Sequence, residues 1–311
     1  MRRPASLRRF GLEAPPCRHY SCRVHERDYL PLLELALQED LGDLGDVTSQ
    51  AVTPEGVQSA TLWSKDTGIL AGEQVFAAVF PRIDARMRVS FRVHDGARLE
   101  PGLAVATVEG PTHSLLSGER TALNFLSFLS GIATATGAAV QAARESGQAV
   151  ILDTRKTLPG WRALSKYAVT VGGGRNHRQG LYDMVLIKDN HVEAAGSVTE
   201  AVRRARQRWG DRFVIEVECR TAAEVEEALA TGARMILLDN MDAGAIAAEV
   251  RHIAGRAEVE ASGNMTLQRI PAVSAAGVDF ISVGTLTHSV RSFDFSLKTD
   301  TAGSVRPGRG G

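Results

Sequence analysis

Three cysteines in 311 residues, Cys17, Cys22 and Cys219, are too few for a disulfide framework. No CxxC pair occurs, which removes the usual cysteine zinc and redox motifs, and a reducing cytoplasmic home is expected. Net charge is missing as well. The 36 basic residues balance 36 acidic ones, so no global field argues for nucleic acid or a membrane surface, and any cationic site must be local. No eighteen consecutive residues are apolar, so length gives no sign of a spanning helix.

The chain is long enough to bury a large core and to hold two structural units. Its first 24 residues carry Arg2, Arg3, Arg8, Arg9, Arg18 and Arg23 against one acid, Glu13. That composition is shared with transit peptides, but without a helical apolar face it is read as an extension lacking a fixed fold, or as a start placed too early. The closing stretch, "TDTAGSVRPGRGG", is read as a second such tail.

Between the tails the pattern changes once. Leu30, Leu33 and Leu37 mark an amphipathic helix over about 28–37, and "EDLGDLGDVTS" reads as a turn. Short runs in "ATLWSKDTGILAG", "MRVSFRVHDG" and "AVATVEG" then suggest a mainly antiparallel sheet. "SGERTALNFLSFLSGIATAT" predicts a helix beginning near Ser117 and apolar on most of its circumference, hence buried between layers. That start puts Arg120 in the first turn, where the helix dipole disfavours a cation and a functional reason for it gains weight.

From residue 149 a different rhythm begins: "AVILDTRK", "MVLIKDN", "FVIEVEC", "MILLDN", "AEVEASGN" and "VDFISVGT", with helices between. Short, continuously apolar, β-rich runs are what parallel strands covered on both faces require. From Asp153 the strand tips Lys188, Glu218, Asp239, Ser262 and Gly284 follow at intervals of 35, 30, 21, 23 and 22 residues, about one βα unit each. This is an α/β fold. Six strands rather than eight imply an incomplete (β/α) barrel or one borrowing a strand from the N-terminal half, and an open doubly wound sheet is the alternative.

In such a barrel the site lies at the carboxyl ends of the strands. Those tips carry Thr154, Arg155 and Lys156, then Lys188, Glu218, Asp239, Ser262 with Gly263, and Gly284. A single Lys or Arg at a strand end is ordinarily a solvated loop residue. The coincidence at six successive tips points to a site. Arg155, Lys156, Arg178 and Lys188 make a cationic pocket whose burial would be costly without an anionic partner, and forked guanidinium groups suit carboxylates. Glu218 and Asp239 suit an oxygen-liganded Mg²⁺ or simply neutralise the lysines. "EASGN" and "SVGT" stand where barrels of this kind cradle phosphate.

Together these stretches resemble the quinolinate phosphoribosyltransferase family. The resemblance runs from about Leu30 to Lys298 and includes "EDLGDLGDVTS", "SGERTALNFLSFLSGIAT", "LDTRKTLPGWRALSKYAV", "GGGRNHRQGLYDMVLIKDNH", "IEVE", "LLDN", "EASGN" and "DFISVGTLTHSV". It implies an N-terminal α/β sandwich over 27–128 with 287–298, an incomplete barrel over 129–286, tails over 1–26 and 299–311, and a homodimer with shared sites, possibly in a larger assembly. The substrates implied are quinolinate and phosphoribosyl pyrophosphate with Mg²⁺, and no nucleic acid or membrane. Carried over by motif, Arg120 of the partner subunit, Arg155, His177, Arg178 and Lys188 bind the quinolinate carboxylates, with Lys156 beside them. Glu218 and Asp239 meet the ribose hydroxyls and Mg²⁺. Ser262, Gly263, Gly284 and Thr285 hold the 5'-phosphate, and Thr154, Asn264 and Val283 also count among the substrate-binding residues. Lys156, Lys188, Glu218 and Asp239 are the catalytic candidates. Asn264 stands where the family usually has glycine, a position asparagine fills if φ is positive. Two other readings are a non-catalytic or altered-substrate paralogue, and a barrel aldolase with Lys188 as its Schiff base, which needs an apolar pocket around that lysine.

Overall fold

The computed structural model describes residues 24–300. The Arg-rich segment and most of the closing stretch lie outside the described residues. The first helix, Glu26–Leu41, buries Tyr29, Leu33 and Leu37, three positions at the spacing that lines one helical face. Val24 is buried just before it, so the folded chain starts ahead of the boundary expected at 27. The turn expected over "EDLGDLGDVTS" ends early: Asp46 accepts from the Ser49 N–H at 2.9 Å and caps a short helix, Val47–Val52.

The N-terminal strands are β1 (Val57–Ser64), β2 (Gly68–Ile69), β3 (Arg88–Phe91), β4 (Arg98–Leu99) and β5 (Ala104–Pro111). Helix Glu73–Ile83 turns Val75, Phe76, Val79 and Phe80 into the core beneath them. Next comes a single helix of 33 residues, Thr112–Arg144, about 50 Å long. Its most apolar window has mean hydropathy 1.4 and is long enough to cross a membrane, but 56% of that window is buried inside the protein. It belongs to both hydrophobic cores. Leu115 to Ala133 serve the N-terminal core, whereas Ala139 and Ala143 serve the barrel's, so the domain boundary expected at 128/129 falls inside one continuous helix.

The start of that helix corrects one expectation. It begins at Thr112, with Pro111 in the cap position, and the Ser117 hydroxyl, read from sequence as the start, instead donates back to His113 O at 2.9 Å, four residues earlier. Arg120 therefore lies beyond the first turn. The dipole penalty fades within that turn and gives Arg120 no functional credit.

Six parallel strands follow: β6 (Val150–Leu152), β7 (Val185–Ile187), β8 (Ile215–Cys219), β9 (Met235–Asp239), β10 (Glu258–Ser262) and β11 (Phe280–Ser282). Their order is β6-β11-β10-β9-β8-β7. From β7 to β11 consecutive strands are neighbours, and the last strand, β11, pairs with the first, β6; this is the order of a barrel opened at one seam and excludes the doubly wound alternative. The barrel stays open between β6 and β7. Among the described residues no N-terminal strand fills that seam; Arg175 does so in part, through one parallel bridge to Leu152. Finally β12 (Phe295–Thr299) returns to the N-terminal sheet, whose order is β12-β1-β5-β3, antiparallel throughout.

Candidate active site

Alternation along the barrel strands sorts the side chains. On β8 the odd-numbered Ile215, Val217 and Cys219 join the hydrophobic core with Ile236, Leu238, Val259 and Ala261 of β9 and β10. Glu216, Glu218, Glu260 and Ser262 accordingly point to the other side of their strands, into the barrel. Two layers result.

The deeper layer holds Glu216 and Glu260, both fully buried, with the His177 ring between them. His177 Nε2 is 3.1 Å from Glu216 Oε2 and 3.4 Å from Glu260 Oε2. Burial by itself opposes a charged ring, yet the two carboxyl groups outweigh it and raise the His177 pKa. Burial first, and Glu260 second, push Glu216 up as well. The Arg178 N–H donates to His177 Nδ1 at 2.7 Å, which requires a lone pair there. The geometry thus favours a neutral ring carrying its proton on Nε2, with a further proton on the carboxyl pair. The triad holds the same number of protons as an imidazolium between two carboxylates would. Its ligand-type atoms lie within 4.8 Å of one another, as metal ligands do, but a proton on Nε2 leaves no lone pair there for an ion.

The upper layer is the mouth. Lys188, ending β7, forms an ion pair with Glu218 of β8. Arg220 reaches across to Asp189 (2.8 Å), Glu218 (3.7 Å) and Asp239 (3.5 Å). Glu218 and Asp239, with side chains 7% and 13% exposed, already share one cation. Two oxygen donors on adjacent strands fit a Mg²⁺ held otherwise through water and substrate oxygens. Schiff-base use of Lys188 loses its ground, because a carboxylate, not an apolar pocket, lies against the amine.

Arg155 and Arg178 are both half-buried, and the Arg155 Nε is buried without a hydrogen-bond partner. Burial, and then the proximity of Arg155, depress the Arg178 pKa. Two guanidinium groups that oppose each other in this way are stabilised by an anion between them. Lys156 is exposed and lies over Gly284, where an added Cβ would stand 3.2 Å from Lys156 Cδ. The Thr287 hydroxyl donates to Lys156 O at 2.8 Å and ties that tip to the β11 loop. Thr154 Oγ1 accepts from the Lys156 N–H at 3.0 Å. Val283 is buried in the barrel core, whereas Thr285 is exposed at the start of the helix after Gly284.

In the β10 loop Gly263 has φ +97° and Asn264 φ +49°. A Cβ on Gly263 would stand 2.3 Å from Asn240 Oδ1, so only glycine fits there. Asn264 occupies the left-handed region that asparagine tolerates. Arg269, which sequence reasoning missed, fixes this loop by donating to Gly263 O (3.0 Å), Asn264 O (3.1 Å) and Met241 O (3.1 Å). Asn264→Gly is expected to leave the melting temperature unchanged or higher, and Asn264→Val to cost about 1–2 kcal/mol, the left-handed penalty of a branched residue. Equal stability of the two variants in chemical denaturation would contradict that account.

Comparison with known sequences settles the family. The model for the quinolinate phosphoribosyl transferase C-terminal domain matches residues 132–298, and that for the N-terminal domain matches residues 46–130. The chain belongs to the quinolinate phosphoribosyltransferase family. Among its relatives, quinolinate phosphoribosyltransferase [decarboxylating] 1b of Nicotiana tabacum is 42% identical over 301 residues, covering 91% of this chain and 85% of the relative. The probable nicotinate-nucleotide pyrophosphorylase [carboxylating] of Bacillus subtilis is 44% identical over 266 residues, covering 86% and 91%. NadC from Streptococcus pyogenes superposes with a TM-score of 0.85 at 40% identity, covering 89% of this chain and 98% of the solved one.

Within this quinolinate phosphoribosyltransferase fold, one chain brings together Arg155, Arg178, Lys188, Glu218 and Asp239 at or around the mouth. Arg120 is exposed on the long helix and makes no ion pair among the described residues. Glu216 and Glu260 escaped sequence reasoning although a signal existed. Each lies two residues before a strand-tip site residue and so shares its inward face. Arg220 carried no such signal, since it lies just past the strand.

Proposed function

We propose that the protein is a pentosyltransferase of de novo NAD biosynthesis. It transfers phosphoribosyl from phosphoribosyl pyrophosphate to quinolinate and releases pyrophosphate and CO₂ to give nicotinate mononucleotide. The observation that carries this reading is the pair of opposed, half-buried guanidinium groups, Arg155 and Arg178, beside two carboxylates, Glu218 and Asp239, at the mouth of one barrel.

Arg155 and Arg178 grip the quinolinate carboxylates, with Lys188 and Lys156 adding charge. His177, held in the deeper layer, carries Arg178 at its rim. The Ser262–Asn264 and Val283–Thr285 loops receive the 5'-phosphate through backbone N–H groups. Glu218 and Asp239 would hold Mg²⁺, whose charge favours departure of pyrophosphate. Glu218 and Asp239 also face the positive charge that develops on the ribose as the leaving group departs. The pyridine nitrogen becomes quaternary when it bonds to the ribose carbon. That positive charge stabilises the carbanion left beside it when the adjacent carboxylate leaves as CO₂, and a proton from water then takes the carboxylate's place on that carbon, so no organic cofactor is needed.

The working unit in this proposal is a homodimer in the cytosol, with Arg120 of the partner subunit completing each site. Purified protein incubated with quinolinate, phosphoribosyl pyrophosphate and Mg²⁺ should release nicotinate mononucleotide, pyrophosphate and CO₂ in equal amounts. Binding of both substrates without turnover would instead support the non-catalytic paralogue.

A further inference from the structure

The open seam of the barrel lies between the two segments that carry Arg155 and Arg178. Among the described residues only Arg175 bridges it main chain to main chain, through its N–H to Ile151 O (2.8 Å) and its carbonyl to the Asp153 N–H (3.2 Å). Beyond that point the segments run to the mouth with no ladder between them, and each carries a guanidinium group that repels the other. Something else must hold them at a fixed separation.

Helix Arg162–Val171 does so from the side. Lys166, fully buried, forms an ion pair with Asp153 on one segment and donates to His177 O on the other at 2.9 Å. Asp153 Oδ1 also accepts from the His177 N–H at 2.9 Å. The Asn176 amide, in the orientation that satisfies its partners, donates to Asp153 Oδ2 (2.6 Å) and Lys166 O (3.0 Å). Burial pushes Asp153 up and Lys166 down, both toward the neutral forms. With donors on both Asp153 oxygens, the ionised pair is the better description. One turn earlier Arg162 repeats the arrangement, since residues four apart share a helix face. Its Nε donates to Thr157 Oγ1 (3.3 Å) and its Nη2 to Arg155 O (3.5 Å), while Nη1 donates to Gln179 O across the seam (3.2 Å). The helix itself is anchored by Trp161, stacked on Phe125 of the long helix at 4.9 Å.

We infer that Arg162 and Lys166 are positioning residues for the phosphoribosyl transfer: a two-point clasp that sets the distance between Arg155 and Arg178, and with it the fit to the carboxylates of quinolinate. A purely structural pair would need no second bridge whose bonds end on the main chain of Arg155 and one residue past Arg178. Well-packed apolar residues commonly stabilise a buried site as well as an ion pair does. The inference rests on Arg155 and Arg178 being the carboxylate-binding pair, so the test carries Arg178→Ala as its control.

Arg162→Ala, Arg162→Lys and the double variant Asp153→Asn with Lys166→Met, which leaves no buried charge unpaired, are compared with the parent protein. Each is expected to raise the KM for quinolinate roughly tenfold to a hundredfold, the scale of a misplaced binding group. The KM for phosphoribosyl pyrophosphate is expected to stay within about twofold. Arg162→Lys should not rescue, because one amine cannot reproduce the three separate bonds that the forked guanidinium makes to Thr157 Oγ1, Arg155 O and Gln179 O. An unchanged KM for quinolinate, or equal rises for both substrates, would overturn the clasp. A double variant that does not fold would assign Lys166 to the fold and overturn it too. If Arg178→Ala leaves the quinolinate KM unchanged, the site assignment fails rather than the clasp.

Discussion

Nicotinate should be turned over with a kcat/KM about 10² to 10³ below that of quinolinate, because removing one partner of a buried charged contact commonly costs about 2 to 5 kcal/mol. The two acids share the pyridine ring and the attacking nitrogen. They differ in the carboxylate beside that nitrogen, and the mouth has two opposed guanidinium groups to answer for. In the proposed site quinolinate would give Arg155 and Arg178 a carboxylate each. With nicotinate, one of them keeps the mutual repulsion that burial already makes costly. Both reactions end at nicotinate mononucleotide, so the comparison is made by product formation with labelled acids. Comparable values of kcat/KM would show that the second carboxylate is not read, and the dicarboxylate assignment would fall.

The second large effect is a recovery of activity from two inactive proteins. Arg120→Ala and Lys188→Ala chains, each inactive alone, are mixed under conditions that exchange subunits. If Arg120 serves the partner's site, a mixed dimer has one site with both lesions and one with neither. Activity then returns to about one quarter of the parent value when half the dimers are mixed, as two-fold symmetry requires. The motive is positional: Arg120 is an exposed cation on the long helix without an ion pair among the described residues, whereas Lys188 stands in the barrel mouth against Glu218. Should Arg120 act on its own chain, every site keeps a lesion. Mixtures that stay inactive after exchange has been demonstrated would exclude the shared site.

Much of the barrel is legible in the sequence, for a physical reason. Strands covered on both faces are mostly apolar, so β6, β7, β9 and β11 stand out as apolar runs, while β8 and β10, which alternate glutamate with apolar residues, follow from the spacing; the tips Lys188, Glu218, Asp239, Ser262 and Gly284 are then given directly. Helix ends are less legible. Ser117 has the look of a cap, yet its hydroxyl bonds within the helix, and the true start at Thr112 follows a proline whose role shows only in the fold. The deeper layer of the site was harder still. Glu216, Glu260 and Lys166 are buried ionisable groups, and their partners His177 and Asp153 are distant along the chain, so no local pattern joins them. Lys166 in particular reads as an ordinary polar position of an amphipathic helix. Only the seam, a gap between strands adjacent in sequence but not in hydrogen bonding, explains why a cation belongs there.

The course of β12 bears on how the protein is made. Thr61 of β1 donates to Asp300 across 239 residues, and β12 covers the β1 edge that β5 leaves free. During synthesis β1 emerges early and must wait for the whole barrel to be translated before its neighbour exists. A strand left unpaired for that long is a template for pairing with other chains. The same dependence makes residues 295–300 costly to remove: their loss would strip one edge of the N-terminal sheet, and the damage would show as insolubility rather than as a defect at the distant barrel mouth.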